Sequence, residues 1–492
     1  MTVRVRFAPS PTGQPHIGNI RTVVFNWLFA RQHGGQFIIR VEDTDRTRYV
    51  PDAVKVIFNS LHWLGLDWDE GPDVGGPYGP YVQSERLPLY REKALELLDK
   101  GWAYRCNCPP ERLERIREEQ RARGDMIMYD GHCRDLPPDA ISPDEPHVIR
   151  LKMPREGQTV VHDLLKGDVV FENSGIDDQV LLKSDGFPTY HLAVVVDDYL
   201  MQITHIIRGD DWLSSAPKHV TLYRAFGWEL PEFAHVPLVL GADGKKLGKR
   251  HGAISVAEFE KQGYLPEALF NFLALVGWAP GEGEEQEIFT REELIQRFDL
   301  KRVNPAPAVF SYDKLDWMNG VYIRKLDQET LLERLIPFWQ DAGMIPTPVT
   351  AEALAQLQVI VPLVQERLKT LKDVVPLTDF IFTDIPTPAP EKLIGPKMTA
   401  EQSLQTLEAV RARLAALRDW DAATMEPLLR QLCQDLGLKA GQVFGLIRTA
   451  TTGKEVAPPL FGCLEALGRQ TTLLRLRRAE DALEAVIQAQ KG

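Results

Sequence analysis

Cysteine is scarce in this chain and long apolar runs are absent, which argues against a disulfide-stabilised protein and against a membrane-spanning one. Only five cysteines occur in 492 residues, too few for a disulfide framework, as expected for a protein of a reducing compartment. No stretch reaches the ~18 consecutive apolar residues of a membrane-spanning helix, and the first residues lack the pattern of a signal peptide. We therefore expect a cytoplasmic protein that does not enter a membrane.

Histidine is absent from the last 241 residues of the chain, since all eleven histidines lie at or before His251. Imidazole is the side chain whose ordinary pKa suits acid–base chemistry near neutral pH. We therefore expect the chemistry of this protein in its first half. The length of 492 residues exceeds a single core and predicts about three to five compact units.

The net charge of −12, taken by itself, argues against a nucleic-acid partner. Net charge governs solubility and long-range attraction, however, and a local basic stripe can hold a nucleic acid on an otherwise acidic surface. Arg475–Arg478 is a candidate stripe. The alternative is an ordinary solvated helix face, because Glu480 and Asp481 follow closely.

The segment Phe7–Asn19 (FAPSPTGQPHIGN) is predicted to form a turn between a strand and a helix. It follows the alternating apolar run Val3–Phe7 and precedes apolar residues at helical spacing in Ile20–Leu28. His33–Gly35 is a helix-ending signal, and the apolar run Phe37–Val41 comes next. The whole pattern predicts a strand–helix–strand crossover unit.

The turn before this helix has the chemistry of an anion site. Gly18 lets the backbone come close to a bound group, and the free N–H groups and dipole of a helix N-terminus favour an anion. His16 adds a donor that can follow charge developing on phosphate oxygens. A nucleoside triphosphate fits this place, although a proline-rich turn before a helix is common and does not indicate a site by itself.

A second segment, Gly244–Arg250, follows an Asp243–Gly244 turn and is strongly basic. Four cations fall within six residues: Lys245, Lys246, Lys249 and Arg250. Such a cluster attracts anions, but a cluster that stands alone is more often a solvated loop. The two segments are therefore informative together rather than singly.

Taken together, the two segments resemble the HIGH-type and KMSKS-type signatures of class I aminoacyl-tRNA synthetases. The fuller string Arg6–Thr22 is similar to that of bacterial glutamyl-tRNA synthetases, and the resemblance continues over essentially the whole chain. The further collinear strings are Glu42–Arg46, Asp185–Tyr190, Val196–Asp198, Ile207–Asp211, Lys249–Gly252 and Asp313–Trp317.

Two positions depart from the family pattern. Asn19 ends the HIGH-type motif and keeps its hydrogen-bonding capacity. Gly248 stands where the KMSKS-type motif usually has serine, so a hydroxyl is lost and the loop is loosened. The role expected of Lys249 is unaffected, whereas the rate and order of loop closure stay open.

The resemblance implies an α/β Rossmann-like catalytic domain with an α+β insertion, followed by all-α C-terminal domains. The expected domains are 1–88 with 191–240 (split catalytic domain), 89–190 (acceptor-stem-binding insertion), 241–325 (KMSKS-type loop and stem-contact helical domain), and 326–385 with 386–492 (helical anticodon-binding domains). Proline-rich joints are expected at Pro346–Pro348 and Pro386–Pro390.

Local apolar patterns give further predictions of secondary structure. The runs His191–Val196 and Ile203–Ile207 are predicted to be strands. Helices are predicted to dominate beyond residue 326, for example over Leu354–Lys372 and Met425–Leu436. A helical tail favours the glutamyl type of bacteria over synthetases for glutamine, which carry β-barrels at the anticodon end.

The reaction implied by the resemblance is ATP-dependent ligation. Glutamate and ATP, with Mg²⁺, give glutamyl adenylate and pyrophosphate, and the glutamyl group then passes to the 3′-terminal adenosine of tRNA(Glu). Whether tRNA(Gln) is also charged stays open. The alternatives are glutamylation of a modified tRNA base, which the long helical tail disfavours, and a non-catalytic tRNA-binding paralogue. The family expectation is a monomer.

The resemblance also assigns site residues. His16 and Lys249 are the expected catalytic residues, with Lys249 on the phosphates that leave as pyrophosphate. ATP contacts are expected from Pro9, His16, Gly18, Asn19, Lys246, Lys249 and Arg250. Glutamate contacts are expected from Arg6, Ala8, Ser10, Glu42, Tyr190 and Arg208, with Glu42 facing the ammonium group.

Arg208 is the expected partner of the glutamate side chain. A guanidinium group holds a carboxylate through two parallel hydrogen bonds and has no such pairing with the neutral amide of glutamine. The alternative for Arg208 is a structural salt bridge with Asp210 or Asp211. Glu42 and the acidic residues after it have a similar alternative, a solvated turn.

Three cysteines form a candidate metal site within the expected insertion. Cys106, Cys108 and Cys133, with Asp135, stand where some bacterial members of the family bind a structural zinc ion through three cysteines and a histidine. Carboxylate is a less common ligand than imidazole in sulfur-rich zinc sites, and His132 is an alternative fourth ligand. Zinc and a group of buried thiols without a metal stay equal alternatives.

Overall fold

The computed structural model describes residues 2–281 and 283–491. These residues form two compact units. The first unit contains Met1–Glu260 and Pro266–Tyr312, and the second contains Lys261–Leu265 and Asp313–Gly492. All strands of the described residues lie in the first unit. The expected order, an α/β region followed by a helical region, is confirmed.

The predicted strand–helix–strand unit opens the first unit. Strands β1 (Arg4–Phe7) and β2 (Gln36–Ile39) pair in parallel, and helix α1 (Ile17–Gln32) connects them. The helix ends where the sequence predicts, because Gly34 adopts the left-handed conformation with φ of 56° directly after His33. The long turn before α1 therefore lies beyond the carboxyl end of β1.

Two further sheets lie in the first unit. The smaller has the order β3–β4–β7 and is antiparallel. The larger has the order β6–β5–β9–β8, in which β5 and β6 are antiparallel while β9 is parallel to β5 and β8. The strands are β3 (Ala103–Cys106), β4 (Val148–Leu151), β5 (Gln158–Asp163), β6 (Gly167–Glu172), β7 (Val180–Leu182), β8 (His205–Gly209) and β9 (Glu232–Val236). The predicted strand in Ile203–Ile207 is confirmed as β8, which begins two residues later than predicted and continues to Gly209.

The other elements of the first unit are helices and two short strands. The helices are α2 (Ala53–Trp63), α3 (Leu87–Asp99), α4 (Pro110–Arg123), α5 (Tyr190–Leu200), α6 (Ala216–Phe226), α7 (Val256–Lys261), α8 (Pro266–Leu275) and α9 (Arg291–Arg297). The short strands β10 (Val239–Leu240) and β11 (Ala308–Val309) pair in parallel.

The prediction of a strand over His191–Val196 is wrong, because these residues lie in helix α5. Helix α5 packs against both α3 and α6, so Leu192–Asp198 are all buried. A helix buried on every side carries neither the alternation of a half-buried strand nor the one-sided stripe of a surface helix. A short apolar run therefore does not distinguish the two structures.

In its described residues the second unit contains helices and no strands. Its helices are α10 (Tyr312–Lys325), α11 (Gln328–Asp341), α12 (Ala351–Val364), α13 (Val374–Phe382), α14 (Ala400–Ala415), α15 (Ala422–Asp435), α16 (Ala440–Thr452) and α17 (Leu460–Lys491). Helix α17 is broken at Gly468, where φ is 77°. The predicted helix over Met425–Leu436 is confirmed as α15. No helix in the part of the chain that the structure describes is long and apolar enough to cross a membrane.

The helix predicted over Leu354–Lys372 is correct only as far as Val364. The chain then forms a short 3₁₀ turn, and Leu368 is extended and fully buried. The side chain of Asp373 accepts hydrogen bonds from the main-chain N–H groups of Lys369 (3.0 Å) and Thr370 (2.8 Å). This capping contact begins a new turn and competes with continuation of the longer helix.

The candidate basic stripe Arg475–Arg478 is not a row of free cations. Arg475 is buried and donates to main-chain carbonyl oxygens of Thr451 (2.7 Å) and Thr383 (2.9 Å). Arg477 instead forms ion pairs with Glu480 and Asp481 at 3.3 and 3.0 Å. The alternative, a helix face whose charges are paired locally, describes this segment.

Candidate active site

A cavity of about 320 Å³ lies in the first unit, beyond the carboxyl ends of β1 and β8 and beside the start of α1. All six residues expected to contact glutamate line it: Arg6, Ala8, Ser10, Glu42, Tyr190 and Arg208. Three residues expected to contact ATP line it too: Pro9, His16 and Asn19. The structure thus brings the turn after β1 and the end of β8 together at one concave site.

Arg208 is buried in the wall of this cavity and is held by neutral groups. Its Nε donates to Nε2 of His235 (3.0 Å), and its Nη1 donates to Nδ1 of His219 (3.2 Å) and, at a longer 3.4 Å, to the hydroxyl of Tyr190. Its Nη2 donates to the carbonyl oxygen of Trp212 at 3.3 Å. Four of its five N–H groups are therefore directed at uncharged acceptors.

No carboxylate pairs with Arg208 in the described chain, and the expected competitors are paired elsewhere. Asp210 forms an ion pair with Lys166 at 3.1 Å, and Asp211 forms one with Lys246 at 3.4 Å. The alternative of a structural salt bridge is therefore excluded for Arg208. Burial lowers the pKa of Arg208, because removing a cation from water disfavours its charged form. An anionic ligand would offset this cost.

Arg6 differs from Arg208 because its charge is matched within the protein. Its Nε and Nη2 donate to the two carboxylate oxygens of Asp198 at 3.1 and 3.2 Å. Burial opposes the charged state of Arg6, but Asp198 raises the pKa of Arg6 above its ordinary value. Asp198 also accepts from Nη1 of Arg40 at 2.7 Å. Arg6 therefore supports the cavity wall as part of an ion-pair network.

Glu42 is the buried acid of the cavity. Both hydrogen bonds from Arg40 reach Oε1 of Glu42, at 2.9 and 3.3 Å. Within the described residues no donor contacts Oε2, which leaves that oxygen for a cationic ligand. Burial raises the pKa of Glu42, while Arg40 acts in the opposite direction. An ammonium group would further favour the ionised carboxylate.

His16 is the N-cap residue of helix α1. Its Nδ1 accepts from the main-chain N–H of Gly18 at 3.1 Å, so the proton of the neutral ring is on Nε2. Burial lowers the pKa of His16, and Lys246 lowers it further, while the nearby carbonyl of Leu247 opposes them. Nε2 is buried and makes no hydrogen bond of ordinary geometry within the described residues. The donor of the neutral ring is therefore unsatisfied, in a residue that lines the cavity.

The basic segment forms a turn at the rim of the site. Leu240 and Lys246 form an antiparallel bridge, and Gly244 closes the turn between them with φ of 72°. Lys246 reaches Asp211, a residue of the cavity lining. Lys249 and Arg250 are exposed and do not line the cavity, and Arg250 pairs with Asp243 at 3.3 Å.

Four residues that bond to side chains of the cavity lining were not assigned from the sequence. Asp198 lies in a string quoted for the resemblance but received no role, and Arg40 follows a strand without a distinctive motif. His219 and His235 lie on α6 and β9, outside the two signature segments. The only sequence signal for these two histidines is the confinement of histidine to residues 1–251.

Comparison with known proteins identifies the family. Residues 2–317 match the family described as "tRNA synthetases class I (E and Q), catalytic domain". The chain belongs to this family. Residues 330–480 of this class I synthetase match a second family, "Anticodon binding domain".

Close relatives of this synthetase extend over nearly all of its length. It is 53% identical over 477 residues to a protein named glutamate–tRNA ligase of Dehalococcoides mccartyi, with 97% of each chain covered. It is 50% identical over 491 residues to the protein of the same name of a Roseiflexus species, covering 98% of this chain and 97% of that one. The crystal structure of a glutamate–tRNA ligase of Elizabethkingia meningosepticum in complex with its amino acid is 35% identical, with a TM-score of 0.87, covering 98% and 100% of the two chains.

The cysteine group of this synthetase lies beside the sheet β3–β4–β7. The Sγ atoms of Cys106, Cys108 and Cys133 all lie within 4.8 Å of one another, and those of Cys108 and Cys133 are 3.5 Å apart. The hydroxyl of Tyr129 lies 3.4 Å from the Sγ atoms of both Cys106 and Cys108. The structure does not bring Asp135 into the group, because its exposed carboxylate pairs with Lys152 at 3.2 Å.

Proposed function

We propose that this synthetase is a glutamate–tRNA ligase, which joins glutamate to tRNA(Glu) with the energy of ATP. The observation that carries the proposal is the buried guanidinium of Arg208, with which no carboxylate of the described chain pairs, in a cavity that is also lined by the carboxylate of Glu42. Glutamate has one ammonium and two carboxylate groups, so such a cavity complements its side chain and its ammonium group. Relatives with that name at about 50% identity support the same conclusion.

In the first step one oxygen of the α-carboxylate attacks the α-phosphorus of ATP. The new oxygen–phosphorus bond forms as the bond to the β-phosphate oxygen breaks, and pyrophosphate leaves. The protein supplies position and charge rather than a nucleophile. The Nε2–H of His16 and the N-terminus of α1 stabilise phosphate oxygens, and Lys249 draws the departing pyrophosphate. Mg²⁺ that enters with ATP would neutralise part of the phosphate charge.

In the second step a hydroxyl of the terminal adenosine of tRNA attacks the activated carbonyl carbon. The ester forms, the carbon–oxygen bond to the phosphate breaks, and AMP leaves. The match of residues 330–480 to an anticodon-binding domain supports a whole tRNA as the acceptor. It favours this function over glutamylation of a modified base, for which an anticodon-binding half is not needed.

The test is glutamate-dependent exchange of pyrophosphate into ATP, with and without tRNA(Glu), followed by aminoacylation. Arg208→Gln is expected to raise the KM for glutamate at least about tenfold, the effect of losing a hydrogen bond to a charged group. Arg224→Gln on the exposed side of α6 is the matched control. No exchange under any tRNA condition would overturn the proposal, and a parallel assay with tRNA(Gln) defines acceptor scope.

We further propose that Cys106, Cys108 and Cys133 bind a structural zinc ion. Tetrahedral zinc with sulfur at ~2.3 Å places its thiolates about 3.8 Å apart, and the observed cluster fits this spacing. When bound, the ion would hold β3 to the segment that contains Cys133. The zinc content of the purified protein is expected to be near one per chain and to fall in Cys108→Ser but not in Cys433→Ser. Equal zinc in all three proteins would refute this site.

A further inference from the structure

We propose that His219 and His235 are positioning residues that determine the preference of this site for a carboxylate side chain. They act as two neutral acceptors that orient the guanidinium of Arg208 without neutralising it. This inference rests on the proposed function, in which Arg208 receives the side chain of glutamate. It adds two residues outside the cavity lining to the determinants of amino-acid specificity.

The orientation of His235 is fixed from behind by Asp163. Oδ2 of Asp163 accepts from Nδ1 of His235 at 2.7 Å and from its main-chain N–H at 3.0 Å. Because arginine can only donate, Nε2 of His235 must be the acceptor of the bond from Arg208. The ring therefore carries its single proton on Nδ1, and it is completely buried. The neutral tautomer of His235 follows from these two contacts.

His219 is fixed in the opposite tautomer by the same reasoning. Its Nδ1 accepts from Nη1 of Arg208, so its proton is on Nε2. That atom lies 3.0 Å from Nδ1 of His191, which must then be the acceptor. His219 is 1% exposed, and burial lowers the pKa of both histidines. A chain of hydrogen bonds thus runs from Asp163 through Arg208 to His191.

The two imidazoles leave part of the Arg208 guanidinium free to bind a ligand. One N–H of Nη2 has no acceptor in the described chain, and the 3.4 Å contact to Tyr190 is the longest that Arg208 makes. Both groups are on the η side of the guanidinium, where a carboxylate binds end-on through two bonds. An acid at position 219 or 235 would satisfy the charge internally. A neutral acceptor keeps that charge for the ligand.

The test compares three substitutions of His219 in the full-length enzyme. His219→Gln keeps a neutral acceptor and is expected to stay within about threefold of the parent in KM for glutamate. His219→Glu adds a negative charge and should raise this KM at least about tenfold, while reducing discrimination against glutamine. His219→Leu removes the acceptor and should also raise KM. In all three, kcat should change by less than about threefold, because the reacting α-carboxylate is at the other end of glutamate.

Thermal unfolding of each variant shows which of them fold. If His219→Glu does not fold, His219→Leu and its rescue by His219→Gln still decide the question. The inference would be overturned if His219→Leu had the parental KM for glutamate. It would also be overturned if His219→Gln and His219→Glu raised this KM equally. Arg208→Gln distinguishes failure of this inference from failure of the proposed function. A parental KM for glutamate in Arg208→Gln would contradict the proposed role of Arg208 itself. A raised KM in Arg208→Gln together with parental KM values in the His219 variants would contradict only this inference.

Discussion

The main-chain N–H of Ile17 donates to the carbonyl oxygen of Ile254 at 2.7 Å, and the adjacent His16 and Ser255 form an antiparallel bridge. The first turn of α1 is thus joined by main-chain hydrogen bonds to the residues that follow the basic segment. On the other side of Lys249, the main-chain N–H of Leu247, within the segment, donates to the carbonyl oxygen of Val239 (3.0 Å). The exposed residues around Lys249 therefore lie in a short loop held at both ends.

The position of Lys249 in this loop predicts an effect on rate rather than on glutamate binding. Lys249→Ala is expected to lower kcat for pyrophosphate exchange on the order of 10²-fold, the size of losing one group that stabilises transition-state charge. The KM for glutamate should change less than about threefold. Lys245→Ala, an exposed cation on the same segment, is the control. A selective rise in the KM for glutamate would contradict the assignment.

Gly248 is expected to tolerate the serine that is usual in the family. Its backbone is extended at φ of −160°, and an added Cβ would lie 3.9 Å from its nearest neighbour, the carbonyl oxygen of Lys246. Gly248→Ser should therefore change the free energy of unfolding by less than about 0.5 kcal/mol. Any change in kcat for pyrophosphate exchange is then an effect on the conformation of the loop rather than on stability. Pre-steady-state kinetics of pyrophosphate exchange measure this change in rate.

Gly252 offers the contrasting substitution for the same measurement. Its φ is +118°, and an added Cβ would approach the ring of Tyr312 to 3.2 Å. Gly252→Ala should lower the melting temperature, because an L-residue is strained in this conformation. A parental melting temperature in Gly252→Ala would contradict the expectation for Gly252, and a clearly lowered one in Gly248→Ser would contradict that for Gly248.

Removing the charge of Asp198 should destabilise the first unit. Asp198→Asn leaves the buried cations Arg6 and Arg40 without their shared anion, and loss of one partner from a buried ion pair costs about 3–5 kcal/mol. Urea-induced unfolding measures this change. Asp144→Asn, at an exposed position, is the control. A loss below about 1 kcal/mol would show that water or rearrangement replaces the anion.

Histidine burial predicts loss of stability in mild acid. Burial lowers the pKa of His191 to about 3, whereas the unfolded chain has the ordinary value of about 6.5. Because the unfolded state binds this proton first, stability is lost as the pH falls below about 6.5 and continues to fall until about pH 3. For His191 alone the loss between pH 7 and pH 5 is up to roughly 2 kcal/mol.

The comparison that checks this is between the parent protein, His191→Gln and His62→Gln, unfolded by urea at pH 7 and pH 5. The difference between the two pH values should shrink in His191→Gln. It should persist in His62→Gln, because His62 is exposed. The same pH dependence in all three proteins would refute the role of His191.

Much of the architecture around the site follows from sequence patterns. Polar turns, glycine signals and apolar periodicity act locally, so the crossover unit from Val3 to Val41 was predictable residue by residue. Helix α5 was not, because burial on all sides removes the periodicity that distinguishes helix from strand. The end of α12 was missed because a single side chain, that of Asp373, starts a competing turn.

The residues that line the site could be predicted from the sequence, but the pairing of their charges could not. The resemblance names Arg6 and Arg208 alike as ligand-binding cations, and the chain gives no local sign that they differ. Their difference depends on contacts between distant segments: Asp198 neutralises Arg6, while Asp210 and Asp211 pair with lysines elsewhere. Such pairings depend on three-dimensional packing, which a motif does not contain.

The parallel pairing of β5 with β9 limits how this protein can be divided. Asp163 ends β5, pairs in register with Phe233 and holds His235 behind the cavity. Excision of residues 89–190 to obtain a minimal enzyme would remove this strand and its carboxylate. A chimaera that exchanges the segment with that of a relative would likewise replace the carboxylate that orients His235. The hairpin of β5 and β6 should therefore be kept with the catalytic core in any such construction.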